Sequence, residues 1–257
     1  MFVKTAYSYG KATNVVDAGS IAFGSWVNNP HASNPNNPAL GQAAGSAGHR
    51  VFVASTLERD ILPVGSTTFS VFWEARTGGN TSYVFSGDAN GDGGSRNDLI
   101  YVHRNTSEMN FEDFTSSGTT FTAAQQAAAW DAFIAQDPYL SEHRGEYVER
   151  GGAFLPMIYN MDVSIEQEIS KAFAGTDNRL SIRADILNVL NLVNSEWGVG
   201  QTFTTNSPLI ARGADANGEM KYRLRNLGSE LISESFRPTA GLNDVWRLQL
   251  TARYTFN

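Results

Sequence analysis

The chain closes on a strict alternation. Trp246, Leu248, Leu250, Ala252, Tyr254 and Phe256 take every second place, with Arg247, Gln249, Thr251, Arg253 and Thr255 between them. In an extended strand successive side chains leave on opposite sides, so this segment has one wholly apolar face and one wholly polar face. Aromatic residues stand at both ends of the apolar row, as in a strand that crosses a bilayer from interface to interface. A half-buried strand of a soluble sheet shares the alternation, so the rest of the chain has to decide between them.

Composition narrows the choice. A chain of 257 residues can form one large or two small domains. No apolar run is long enough for a transmembrane helix, so only a barrel of strands would cross a membrane. The mildly polar mean hydropathy suits a barrel, where only alternate residues meet lipid. Zero cysteines exclude a disulfide scaffold and thiolate metal sites, and a net charge of −7 argues against nucleic acid as a partner. Met1 leads directly into the alternating Phe2-Val3-Lys4-Thr5-Ala6-Tyr7-Ser8-Tyr9, without a basic segment, an apolar stretch and a cleavage site ahead of it. The chain is therefore expected to be the back part of a longer exported protein.

Six segments read as strands: Phe2 to Gly10, His49 to Leu57, Thr67 to Arg76, Asn160 to Ile169, Arg179 to Asn188, and the terminal strand. The third sets Phe69, Val71, Trp73 and Ala75 against Thr68, Ser70, Phe72 and Glu74. Strands two and three are joined by roughly nine residues around Glu58 to Gly65, and strands four and five by a similar stretch, Ser170 to Asn178. The other connections run to roughly forty, eighty and fifty residues, far beyond ordinary loops. In a meander, this short–long alternation gathers the long loops at one end, as in outer-membrane barrels. Pairing Glu166 with Arg183 brings opposite charges together on the polar side and sets Ile165 against Ala184 and Val163 against Ile186 on the other. Within the longest loop, Thr122 to Gln125 reads as a capping box. It opens a helix through Trp130, Phe133 and Ile134 that stops near Asp137-Pro138, with those three apolar residues packing on neighbouring loops.

Few motifs suggest chemistry. Asp88-Ala89-Asn90-Gly91-Asp92-Gly93 matches the front of a calcium loop, with oxygen ligands at positions one, three and five and glycine at six. Leu99 stands where a bidentate Glu is usual, so a calcium site would be a shorter one closed by Asp98: Asp88, Asn90, Asp92 and Asp98. The same side chains can instead cap the backbone of a glycine-rich turn. Asp215-Ala216-Asn217-Gly218 lacks the third carboxylate and reads as a turn. His31, His49, His103 and His143 share no metal-ligand spacing, Ala44-Gly45-Ser46-Ala47-Gly48 is no nucleophile elbow, and Glu146 and Glu149 near His143 read as solvated charges. The chain is not expected to be an enzyme. Asp162, Glu166, Arg183 and Asp185, with Arg247 and Arg253, are expected to face a wet lumen, either as ion pairs that stiffen the wall or as contacts for a ligand or plug.

Several stretches resemble one family. Tyr7-Ser8-Tyr9-Gly10-Lys11-Ala12, Asn36-Asn37-Pro38 and Gly48-His49-Arg50-Val51 are similar to parts of the C-terminal barrel of Oar-like TonB-dependent receptors. So are Ser86 to Gly93 followed by Asn97-Asp98-Leu99-Ile100-Tyr101, Asp185 to Asn191, and the Arg-Tyr-Thr-Phe-Asn ending. The resemblance covers essentially the whole chain. It implies an outer-membrane barrel of about twenty-two strands with an N-terminal plug and TonB-contacting segment. Residues 1–257 would be the C-terminal portion of that barrel, without counterparts of the plug, the TonB box or the signal peptide. The terminal strand also resembles the signal read by the barrel-assembly machinery, carried by Gln249, Tyr254 and Phe256, although Thr251 stands where Gly is usual and Asn257 is an extra residue.

The expected architecture is thus all-β: an antiparallel transmembrane β-barrel segment of about six strands in an up-and-down meander, with long extracellular loops, one carrying a short helix. Met161, Val163, Ile165, Leu180, Ile182, Ile186, Leu248 and Leu250 would face lipid, and Trp73, Trp246, Tyr254 and Phe256 would lie near the interfaces. The expected role is the wall and extracellular loops of a bacterial outer-membrane receptor for an unidentified ligand, with outer-membrane lipid, the remaining barrel and plug, the TonB complex and the assembly machinery as partners. No cofactor is expected beyond possible calcium in the Asp88 loop. The alternatives are a soluble, calcium-assisted carbohydrate-binding β-sandwich and a non-transporting adhesin barrel. A sandwich would bury Ile165, Ile182 and Leu250 against a second sheet; a barrel wall would leave them uncovered.

Overall fold

A computed structural model describes residues 1–19, 21–32, 34–169 and 178–256. The fold is mostly β, with 44% of the chain in strands and 14% in helices. Six long strands form one open antiparallel sheet: β1 (Phe2–Gly10), β2 (Gly48–Leu62), β3 (Gly65–Arg76), β4 (Ile158–Ile169), β5 (Arg179–Leu187) and β6 (Arg247–Thr255). Their spatial order is their chain order, so the sheet is a meander. Among the described residues β1 and β6 each pair on one side only, and the sheet does not close on itself.

Register carries the alternation of each strand across the whole sheet. One row runs Val3, Ser55, Val71, Val163, Ile186, Leu248, and Leu57, Phe69, Ile165, Ala184, Leu250 forms another on the same side. The row between them, on the opposite side, is Phe2, Thr56, Ser70, Ser164, Asp185, Gln249. The β4–β5 pairs Glu166–Arg183, Ile165–Ala184 and Val163–Ile186 are those expected from the sequence. A slip of one residue would have turned every side chain over, so charge and apolar pattern select this register together. Among the described residues no second sheet covers the apolar face: Ile165 is 43% exposed, Ile182 48% and Leu250 70%.

The connection between β2 and β3 is shorter than the nine residues read from the sequence. Both strands extend into it, leaving only Pro63 and Val64 between Leu62 and Gly65. A bulge between Arg59 and Leu62 absorbs the irregular end of the run. Gly65 has a φ of 157°, and a side chain there would run into the Glu168 carbonyl of β4. Most of the connection from Ser170 to Asn178 lies outside the described residues.

Residues 11–47, 77–157 and 188–246 emerge at the other end of the sheet. Helices occur in all three segments, not in one: α1 (Ala22–Val27), α2 (Ala123–Gln136) and α3 (Val189–Val193). Only α2 carries a sequence signature. Its Thr122 hydroxyl accepts from the Gln125 amide at 3.2 Å, and the Gln125 side chain accepts from the Thr122 amide at 2.9 Å. It ends at Asp137, which is extended because the following Pro138 disfavours the helical region. Trp130, Phe133 and Ile134 are fully buried.

These helical residues belong to a hydrophobic core lying in the long connections, away from the sheet. Tyr83, Ile100, Val102, Phe111, Trp130, Phe133, Ile134 and Leu140 of the second connection pack with Leu209, Tyr222, Leu224 and Ile232 of the third. Bridges Ser86–Ile210 and Phe111–Tyr222 stitch the two segments together, and His31–Asp98 ties the first to the second. The loops therefore form a folded cap over one end of the sheet.

Candidate functional site

The sequence-predicted site residues fall in two regions: the polar face of the sheet beneath the cap, and the turn at residues 88–98.

On the polar face, Arg183 stands opposite Glu166 but binds Asp185 of its own strand, through Nε at 2.8 Å and Nη2 at 2.6 Å. Glu74 takes both Arg50 and Arg76 as ionic neighbours. Asp162 accepts the backbone N–H of Asn188 at 2.8 Å. Asn188 has a φ of 52°, and its amide donates to the Gly198 and Asn243 carbonyls, which with the Asp162 bond ties the third connection to the sheet. A cavity of about 240 Å³ opens there, bordered by Glu74, Arg76, Asn160, Asp162, Asp244 and Arg247. The Gly200 and Gly241 N–H groups hold the Asp244 carboxyl below the ordinary carboxylate range, although burial works against them. This polar face carries charges of both signs, held by bonds within and between strands.

At the terminal strand, Gln249 lies on the polar face opposite Asp185, and Tyr254 lies on the apolar face opposite Leu180. Phe256 follows the end of β6 and stacks on Tyr254, with ring centroids 6.0 Å apart. Trp73 meets Tyr159 at 6.5 Å on the same apolar face, at the cap end.

The turn at residues 88–98 is built largely from its own side chains. Asp88 accepts from the Gly91 and Gly93 amides at 2.7 and 2.9 Å, and Asn90 accepts from the Asp92 amide at 2.9 Å. Asp92 accepts from the Gly94 amide at 2.7 Å, and Asp98 from the Ala89 amide at 2.8 Å. The glycines supply the positive φ that such a self-capped turn needs: 81° at Gly91 and 87° at Gly93. Of the four residues read as calcium ligands, Asp92 and Asp98 converge, and they do so with His31 from the first connection. One ligand atom from each of His31, Asp92 and Asp98 lies within 4.8 Å of the other two. His31 Nε2 is 3.0 Å from Asp92 Oδ2, and the Asn97 amide donates to Asp92 at 3.1 Å. Burial pushes the Asp98 carboxyl up; the Ala89 N–H opposes this, and the Asp92 and Asp88 charges add to it. Spacing along the chain gave no hint of His31, because its partners lie some sixty residues away and only the bridge to Asp98 brings them together.

Sequence reasoning also missed a buried triad in the cap. The indole N–H of Trp130 donates to His103 Nδ1 at 3.1 Å, while His103 Nε2 is 2.6 Å from the Tyr222 hydroxyl. An indole nitrogen only donates, so Nδ1 is bare and the neutral ring carries its proton on Nε2. That hydroxyl also accepts from the Asn110 amide at 2.8 Å. Burial pushes the His103 pKa down to about 4 and the Tyr222 hydroxyl up to about 12. The triad reads as structural: all three side chains are buried and serve one another. His143 stacks on Tyr139 at 4.1 Å and bonds its carbonyl at 2.7 Å. The Asp215 turn closes on its own side chain, which accepts from the Asn217 and Glu219 amides.

No protein-family model, curated protein or solved structure matches this chain.

Proposed function

We propose that this chain supplies part of the wall and the extracellular cap of an outer-membrane β-barrel receptor of the TonB-dependent, Oar-like kind. The observation that carries the proposal is the uncovered apolar face: six strands in register present Val163, Ile165, Ile182, Leu248 and Leu250 outward, with charged and hydroxyl residues behind them. A contiguous apolar face of this extent calls for a lipid or protein covering. From the Ala75–Tyr159 row to the Leu180–Tyr254 row, the ten-residue rise of β4 tilted as in a barrel gives an apolar band roughly 25 Å tall, the height of the hydrocarbon layer. The edges of β1 and β6 would be met by further strands, since an open edge invites pairing. The cap, on the side of the long connections, would face outward and help capture a ligand that then meets the polar wall; a plug and the TonB complex would complete a transport cycle.

Because the chain has no cysteine, single cysteines test this directly. Ile165→Cys, Ile182→Cys and Leu250→Cys carry spin labels on one face, and Arg183→Cys, Gln249→Cys and Thr251→Cys on the other. In outer-membrane vesicles the first set should be open to oxygen dissolved in lipid and shielded from a water-soluble relaxant, with the second set reversed. Labels on the first face buried by protein, in a chain recovered from the soluble fraction, would instead match a sandwich and end the proposal.

A further inference from the structure

We propose that His31, Asp92 and Asp98 form a binding site for a borderline divalent cation of the zinc class, which clamps the first long connection to the second. The inference is independent of the barrel reading.

The three ligand groups come from two segments held in place by backbone bonds. The His31 amide donates to the Asn97 carbonyl at 2.8 Å, and the Leu99 amide donates to the His31 carbonyl at 2.9 Å. Their side chains are therefore delivered to one spot by the bridge and the turn, before any ion arrives. Two ligand atoms on a tetrahedral zinc ion sit about 3.4 Å apart. His31 Nε2 and Asp92 Oδ2, at 3.0 Å, are already near that separation, and all three ligand atoms lie within 4.8 Å of one another; the Asn97 amide, 3.2 Å from Nε2, is the group an ion would displace.

Burial supplies the independent reason. Asp98 is 3% exposed, and its Oδ1 has no hydrogen-bond partner; His31 is 4% exposed, and its Nδ1 has none. The Oδ1 of Asn97 also lacks a donor, while its Nδ2 lies 3.1 Å from Asp92 Oδ2 and 3.2 Å from His31 Nε2. A buried carboxylate oxygen left unpaired is costly and uncommon, and Asp98 Oδ1 within this cluster calls for a positive charge. A cation held by His31 Nε2 would answer the Asp98 oxygen directly; Nδ1, across the ring, carries the ring proton and does not reach the same ion. Asp92 is partly exposed and borders a cavity of about 270 Å³ lined also by Phe23, Trp26 and Asn97, which gives the ion an entrance.

The imidazole decides the class of ion. Calcium prefers a shell of six to eight oxygens, whereas an imidazole with two carboxylates suits zinc and its first-row neighbours. Asp88 and Asn90 are then structural: their side chains hold the turn that presents Asp92 and Asp98.

The test uses the full chain in detergent micelles, stripped with EDTA and titrated calorimetrically with Zn²⁺. One equivalent should bind, His31→Ala and Asp98→Asn should each weaken binding at least tenfold, and His49→Ala should leave it unchanged. A thousandfold excess of Ca²⁺ should not displace the zinc. Unaltered affinity in His31→Ala, no saturable equivalent, or ready displacement by Ca²⁺ would overturn the proposal. Should the variants not fold, zinc-edge X-ray absorption of the unmutated, loaded chain decides: scattering from one imidazole upholds the site, and an oxygen-only shell removes it.

Discussion

At the scale of single residues, His103 shows how one buried group ties the cap to pH. Its Nδ1 accepts from Trp130 and its pKa is pushed down to about 4, so the native cap keeps the ring neutral where the unfolded chain would not. Unfolded histidine takes up its proton near pH 6.5, and the native ring resists until about pH 4. Stability from this group is therefore complete above the higher value and is lost as pH falls through the window, by about 3 kcal/mol in all. Protection factors of the α2 amides, with the intrinsic pH dependence of exchange divided out, should fall between pH 7 and pH 4, and His103→Gln should flatten that fall. An unchanged slope in the variant would mean that His103 is not the sensing group. Neither this triad nor the role of His31 was legible in the sequence. A histidine announces itself only through neighbours at regular spacing, and here the partners are supplied by tertiary structure: Tyr222 lies more than a hundred residues from His103.

Elements were easier to read where a local rule sufficed. The α2 signals all act within a few residues: a Thr-x-x-Gln box, an alanine-rich run and a proline stop. Strands were read from period-two alternation, and the β4–β5 register from a single opposed charge pair. Alternation does not mark where a strand ends: Glu58 to Leu62 reads as a turn, yet it continues β2. The helices α1 and α3 were missed because neither has a side-chain cap, and each spans fewer than two turns. Two expectations belong at this scale. Thr122→Ala removes one hydroxyl from the α2 cap and should cost about 1 kcal/mol. Trp130→Ala empties the centre of the cap core and should cost about 3–5 kcal/mol. Limited proteolysis within residues 77–157 should rank them in that order, while protection of the β4–β5 amides stays the same in both. Equal proteolysis of the two variants would show that Trp130 is not central to the core.

Across the whole molecule, apolar surface is distributed the opposite way from a soluble sandwich: the sheet shows its greasy face outward, and the hydrophobic core sits in the connections. The alternation of the terminal strand already contained the first half of this arrangement. The second half was invisible, because a loop core assembles from residues such as Ile100, Trp130 and Leu224 that share no period. Under the proposed membrane placement, Ile182→Arg should cost about 2–4 kcal/mol and reduce the membrane-assembled fraction, whereas Thr251→Glu, opposite Arg183, should be tolerated. Urea titration in vesicles checks both, and equal losses would remove the distinction between the faces. With β1 and β6 each paired on one side, the chain by itself should conduct no ions in planar bilayers; a heat-resistant conducting monomer would contradict this. The interlocked cap has a practical consequence for grafting. Residues 77–157 and 188–246 exchange strand bridges and share one core, so neither segment is a transferable module. A chimera that imports one without the other would inherit half an interior, and recombination that preserves the cap's fold would have to move both as a single cassette.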